Sequence, residues 1–175
     1  MGPFPHDAPP ATISTANPAG TDGFEFVEFA HPDPDELETL FWRMGYTEVA
    51  RHKTKDISLY RQGRINYLLN REARSHTARF VAEHGPCAPA MAWRVVDARH
   101  ALERILDLGG TEYTGDDKSI DVPAVIGIGG SLLYLVETFG AKGSAYDADY
   151  VWLGERDPQP ELSLIHISEP TRPSP

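Results

Sequence analysis

Cysteine is nearly missing. Cys87 is the only one in 175 residues, which excludes an intrachain disulfide and any CxxC redox or zinc motif, and suits a reducing, cytoplasmic setting. Positive charge is short as well. Sixteen Lys and Arg stand against 26 Asp and Glu, a net charge of −10, so the basic footprint that counterion release from a phosphate backbone requires is absent and no nucleic-acid partner is expected. Long apolar runs are lacking too. Residues 122–136 are interrupted by Pro123, Gly127, Gly129, Gly130 and Ser131, too short and glycine-rich for a membrane-spanning helix. The opening MGPFPHDAPP has no basic stretch followed by an apolar one, so neither a secretory leader nor a membrane partner is expected. What remains is ordinary globular composition, 41% hydrophobic and 24% charged, enough for one domain with a core or two halves of one.

The two ends differ from the middle. Residues 1–20 are rich in Pro and Ala with almost no large apolar side chains, and are expected as a loose, disordered arm. Residues 157–160 form a Pro-rich break. Residues 162–172 resemble the translated frame of a sequencing adapter, so 161–175 are expected to be a non-native tail. Between these ends lies an internal repeat. Asp33 and Asp97 each precede a helix-like stretch, and Gly45 and Gly109 each end one at the same separation. Tyr46-Thr47-Glu48 then matches Gly110-Thr111-Glu112, and Gly63 and Tyr67 match Gly130 and Tyr134 after a small insertion.

Each unit reads locally as β-α-β-β-β. In the first, residues 24–30 suit a strand. Asp33 is placed to cap a helix with Pro34 at its first position and Glu36 at capping-box spacing. Leu37, Leu40, Phe41 and Met44 make one apolar stripe, and Gly45 ends it. Residues 46–53 suit a second strand, and residues 57–60 and 65–69 a hairpin around Gln62-Gly63. In the second unit, residues 90–96 read as a strand. Asp97 caps a helix carrying Ala101, Leu102, Ile105 and Leu108, and strands are expected at 111–114, 122–128 and 132–137, the last nearly all apolar and therefore interior. Ser75 caps a short connecting helix. The expected division is 21–73 for the first module, 74–88 for the connector, 89–139 for the second module and 140–160 for the start of a linker. Two such modules pairing edge to edge give an α+β cup with helices outside.

No catalytic, cofactor-binding or metal-ligating residue is nominated. His6, His31, His52, His76, His84, His100 and His166 show no HxH or HxxxH spacing, and no arrangement read as aiming two ligands at one point. Glu25, Glu28 and Glu137 are strand carboxylates, read as structural or interfacial pairing rather than as a divalent site. Gly127-Ile128-Gly129-Gly130 lacks the frame of a phosphate loop and reads as a turn. Cys87 reads as an inert thiol. Arg51, Lys53, Lys55, Arg61 and Arg64 read as a solvated face.

Several separated motifs in order, Gly23-Phe24-Glu25-Phe26-Val27-Glu28-Phe29, Arg43-Met44-Gly45-Tyr46, Leu59-Tyr60-Arg61-Gln62-Gly63, Ala82-Glu83-His84-Gly85-Pro86 and Asp149-Tyr150-Val151-Trp152-Leu153, resemble the N-terminal half of bacterial 4-hydroxyphenylpyruvate dioxygenases over residues 17–160. The resemblance implies the vicinal oxygen chelate fold, here a half-open barrel. It implies a parent enzyme that converts 4-hydroxyphenylpyruvate and O2 to homogentisate and CO2 on Fe(II), in tyrosine catabolism. The iron ligands of that family, two His and one carboxylate, belong to a second half, and the strands of equivalent rank here carry Met91 and Tyr134. The resemblance therefore implies a non-catalytic fragment that binds no iron itself. Its partners would be the missing C-terminal catalytic domain and, in the parent, further copies in a homo-oligomer. Two other readings are a hydroxymandelate synthase fragment and a stand-alone cup that binds a small aromatic ligand.

Overall fold

The computed structural model describes residues 9–158; the expected non-native tail and the first part of the expected arm lie outside them. Aromatic and β-branched residues form the first strand, β1 (Thr21–Ala30), followed by helix α1 (Pro34–Arg43), β2 (Thr47–His52), β3 (Ile57–Gln62) and β4 (Ile65–Asn70). Helix α2 (His76–His84) leads to β5 (Cys87–Val95), α3 (Ala98–Asp107), β6 (Ala124–Ile126), β7 (Leu132–Val136) and β8 (Tyr150–Trp152).

The repeat is visible in the pairing. In each module the first strand runs parallel to the last, β1 beside β4 and β5 beside β7, and that last strand has an antiparallel partner, β3 or β6. Antiparallel pairing of β1 with β5 joins the modules into one open sheet in the order β6-β7-β5-β1-β4-β3-β2-β8. The half-open barrel is thus an eight-stranded mixed sheet that does not close. The helix ends match as well, with φ of +87° at Gly45 and +89° at Gly109, a conformation that side chains resist. At Gly45 a Cβ would also stand 2.7 Å from Gln62 Nε2.

Three clusters hold the sheet. On the concave face Phe26, Leu59, Leu68, Ala92, Tyr134 and Val136 pack with Ile120, Tyr146 and Tyr150. Outside, Phe41 of α1 packs on Tyr46, Tyr60 and Leu69, and Ala98 and Ala101 of α3 pack on Val95 and Leu135. Among the described residues no helix is long and apolar enough to cross a membrane.

Four expectations change. Asp33 makes no side-chain cap, the Glu36 N–H going to its backbone carbonyl at 3.3 Å, and its own N–H donates to His31 Nδ1 at 2.9 Å, occupying the donor that a capping-box Glu36 would take. The α1 stripe is narrower than its spacing suggests, since Phe41 is buried while Leu40 and Met44 stay 47% and 44% exposed. The strand expected at 111–114 is a single bridge, Glu112 to Val125, because the chain turns inward there to place Ser119 and Ile120 in the cup. Residues 140–160, expected as the start of a linker, contribute β8, whose Val151 pairs with Arg51 of β2.

Candidate functional site

The cup is filled from within. Tyr134, Tyr146 and Tyr150 are among its buried side chains. The Tyr134 hydroxyl accepts a hydrogen bond from Ser119 N at 3.0 Å, and the Tyr150 hydroxyl donates to Ser119 O at 3.0 Å. Burial, followed by nearby carboxylate charge, drives the pKa of all three phenols far above the usual tyrosine value, so they remain neutral. Met91 falls in register with Leu133, one position off the Ala92–Tyr134 pair, and so projects from the opposite face.

At the cup's centre the carboxylate of Glu28 is wholly buried and surrounded by neutral donors. Oε1 accepts from Asn70 Nδ2 at 2.8 Å and from Thr77 Oγ1, and Oε2 accepts from Ser119 Oγ at 2.7 Å. Asn70 and Thr77 come from β4 and from the first turn of α2, whose Ser75 cap accepts from Ala78 N at 3.0 Å. The third carboxylate, Glu137, accepts from Ala98 N at 2.8 Å at the start of α3, a stabilising place for negative charge.

Each described histidine has a hydrogen-bond partner in the backbone. His31 and His52 accept backbone N–H bonds in their own turns. His76 meets Gly130 O, His84 meets Phe80 O, and His100 meets Pro18 O. Among the described residues no three of His, Cys, Asp and Glu converge where a metal ion could be held. The cup's donors also do not fit an oxygen-activating iron: neutral phenols, and one carboxylate whose two oxygens already accept three hydrogen bonds, are not its two-imidazole, one-carboxylate set. Cys87 is half-buried, and burial pushes its thiol up, which makes it less reactive.

A second polar cluster occupies one end of the cup. Glu25, 6% exposed, accepts from Arg94 Nε at 2.6 Å and Asn66 Nδ2 at 3.2 Å. Asn66 Oδ1 accepts from Arg61 Nε at 2.7 Å, and Arg61 Nη1 donates to Arg156 O at 2.6 Å and Asp157 Oδ1 at 2.8 Å. Arg61 is therefore not part of a solvated face. It is buried, and its guanidinium lies 5.2 Å from the centre of the Trp152 ring. Of the other expected surface cations, Arg51 grips Glu48 through two bonds, and Lys53 and Lys55 bond to loop carbonyls. Glu25, Arg61, Asn66, Arg94 and Asp157 border a cleft of about 1100 Å3 that also includes Phe139, Trp152 and Arg156. Sequence reasoning passed over Arg94, Asn66 and Asn70. Their signal was a polar residue on every concave-facing position of β4 except Leu68, and an Arg set into an otherwise apolar β5.

The family model described as hydroxyphenylpyruvate dioxygenase, HPPD, N-terminal, matches residues 15–151. The chain belongs to this family. It is 48% identical over 147 residues to a 4-hydroxyphenylpyruvate dioxygenase of Pseudomonas sp. (strain P.J. 874), a match covering 82% of this chain and 41% of that protein. It is 45% identical over 143 residues to hemolysin VllY of Vibrio vulnificus (strain CMCP6), covering 79% and 40%. Among solved structures it resembles a xylose isomerase-like TIM barrel/4-hydroxyphenylpyruvate dioxygenase fusion protein, with a TM-score of 0.69 and 36% identity over 82% of this chain and 22% of that one. The chain thus spans about two fifths of the length of these curated relatives, and its fold is of the vicinal oxygen chelate type.

Proposed function

We propose that this HPPD N-terminal domain is the non-catalytic half of a 4-hydroxyphenylpyruvate dioxygenase, the parent converting 4-hydroxyphenylpyruvate and O2 to homogentisate and CO2 in the cytoplasm as a step of tyrosine catabolism. The observation that carries this reading is the filled cup in a chain matched by the N-terminal family model. The concave face of this module holds Tyr134, Tyr150 and a Glu28 whose oxygens already accept three hydrogen bonds. Fe(II), when bound, supplies oxygen activation, and it belongs to the C-terminal half; the described residues of this chain supply no ligand for it.

This chain's contribution is then structural. Its sheet packs against the catalytic half and supports the assembly of the parent into a homo-oligomer. The stand-alone reading, a cup that receives an aromatic ligand, is disfavoured by the same side chains, which occupy the space such a ligand needs. The test compares this chain with the same gene read through into its second half. Fe(II)-dependent formation of homogentisate by the longer protein and none by the chain alone is the expected result. Homogentisate formation by the chain alone, or 4-hydroxymandelate as the product of the longer protein, overturns the proposal.

A further inference from the structure

We propose that a groove beside the β3–β4 turn binds a small organic acid with an apolar body, an aromatic or alkyl carboxylate. This groove of about 650 Å3 lies next to the charged cleft, outside the cup, and is lined by Arg64, Arg94 and Lys142 together with Asp22, Val96 and Phe139. Its volume falls within the range of small-molecule sites. Three cations line the groove against Asp22 and the Glu25 that pairs with Arg94, a positive excess in a chain whose net charge is −10, which favours an anion.

The cations are held ready. Arg94 is positioned by Glu25, which takes its Nε at 2.6 Å, and by the Phe139 ring, whose centre lies 5.3 Å from the guanidinium carbon. Its hydrogen bonds to the described residues are confined to Nε, leaving the Nη fork for an outside acceptor. A planar fork of this kind matches a carboxylate. Arg64, exposed at the turn, has no partner among the described residues, and Lys142 uses one of its three protons, on Val96 O at 3.1 Å. Asp22 opposes an anion and limits the charge that the groove accepts, which favours a monoanion over a phosphate. Val96 and Phe139 give the body of such an acid an apolar wall, and a bare inorganic anion gains nothing from them.

The experiment is calorimetric titration of the full 175-residue chain with 4-hydroxyphenylacetate, its neutral amide 4-hydroxyphenylacetamide, and inorganic phosphate. The acid is expected to bind saturably, and the amide and phosphate far more weakly. Arg64→Gln and Lys142→Gln, both at exposed positions, should each weaken the acid by about tenfold, what one charge-assisted hydrogen bond contributes, while melting at the wild-type temperature. Absence of saturable binding at millimolar acid, equal binding of acid and amide, equal binding of phosphate, or unchanged affinity in Arg64→Gln each overturns the proposal.

Discussion

Ser119 Oγ lies 2.7 Å from Glu28 Oε2, a hydrogen bond that ties a loop of the second module to the first strand of the first, 91 residues away in sequence. Together with Asn70 and Thr77 it satisfies a carboxylate that is wholly buried. Removing the acceptor leaves buried donors without partners, each costing about 1–3 kcal/mol. Glu28→Ala should therefore destabilise the domain by about 3 kcal/mol. Glu28→Gln should cost about 1 kcal/mol, because the hydroxyls of Thr77 and Ser119 can turn to donate or accept. Urea unfolding of both variants checks this, and equal midpoints for Glu28→Ala and wild type would show that the network carries no stability.

Arg61 fastens the end of the described chain to the sheet. Its Nε serves Asn66 and its Nη1 serves Arg156 O and Asp157. The ion pair itself contributes little, since Asp157 is 72% exposed and such pairs are screened. The fork geometry is what counts, and a lysine cannot serve both sides of it. Arg61→Lys should cost about 2 kcal/mol and speed limited proteolysis within residues 150–158, with far-ultraviolet circular dichroism unchanged. A cleavage rate equal to wild type would mean that β8 is held by its pairing with β2 alone.

What the sequence discloses about this fold depends on how local the cause is. Ser75 and Asp97 act as caps as their positions suggest, each accepting an N–H three residues on. Asp33 has the same pattern, yet its side chain accepts nothing, the Glu36 N–H going instead to the Asp33 backbone carbonyl at 3.3 Å. The buried pairing of Glu25 and Glu28 is legible as a type of role, since a carboxylate on a two-sided apolar strand must be paired. The identity of Thr77 and Ser119 as partners is not, because it depends on how α2 and the 113–122 loop close over the cup. β8 is hidden for the same reason. Three residues carry no periodicity, and the strand exists because Val151 and Trp152 find Arg51 and Ala50 a hundred residues earlier in the chain.

His52 makes stability depend on pH. Its Nδ1 accepts from Thr54 N at 3.2 Å and Lys55 N at 3.1 Å, which a protonated ring cannot do. Burial first, and the charge of Lys55 second, hold its pKa below the usual 6.5, with Lys53 adding to this and Asp149 and Glu72 opposing it. Between the native value and 6.5 the unfolded chain binds more protons than the folded one, so stability rises with pH through that window and is lost as pH falls through it. His52→Asn keeps an acceptor in the turn and removes the titration. From about pH 7.5 down to about pH 5.5, wild type should lose more melting temperature than His52→Asn. Parallel loss in the two proteins would assign the acid sensitivity to other groups.

Tyr146 carries a cost that can be removed. Its side chain is fully buried against Phe26, Tyr150 and Trp152, yet its hydroxyl has no hydrogen-bond partner among the described residues. Burial, and after it the charge of Glu25, forces that hydroxyl to stay protonated, so it cannot gain by ionising. A phenol oxygen buried without a well-formed hydrogen bond is worse than hydrogen in the same place. Tyr146→Phe keeps the ring contacts and should raise stability by about 1 kcal/mol, an increase of about 2–4 °C in melting temperature for a domain of this size. A decrease of that size would mean that the hydroxyl is engaged in solution, with Glu25 the acceptor within reach, and Glu25→Gln combined with Tyr146→Phe in a double-mutant cycle would then show a coupling that two independent sites lack.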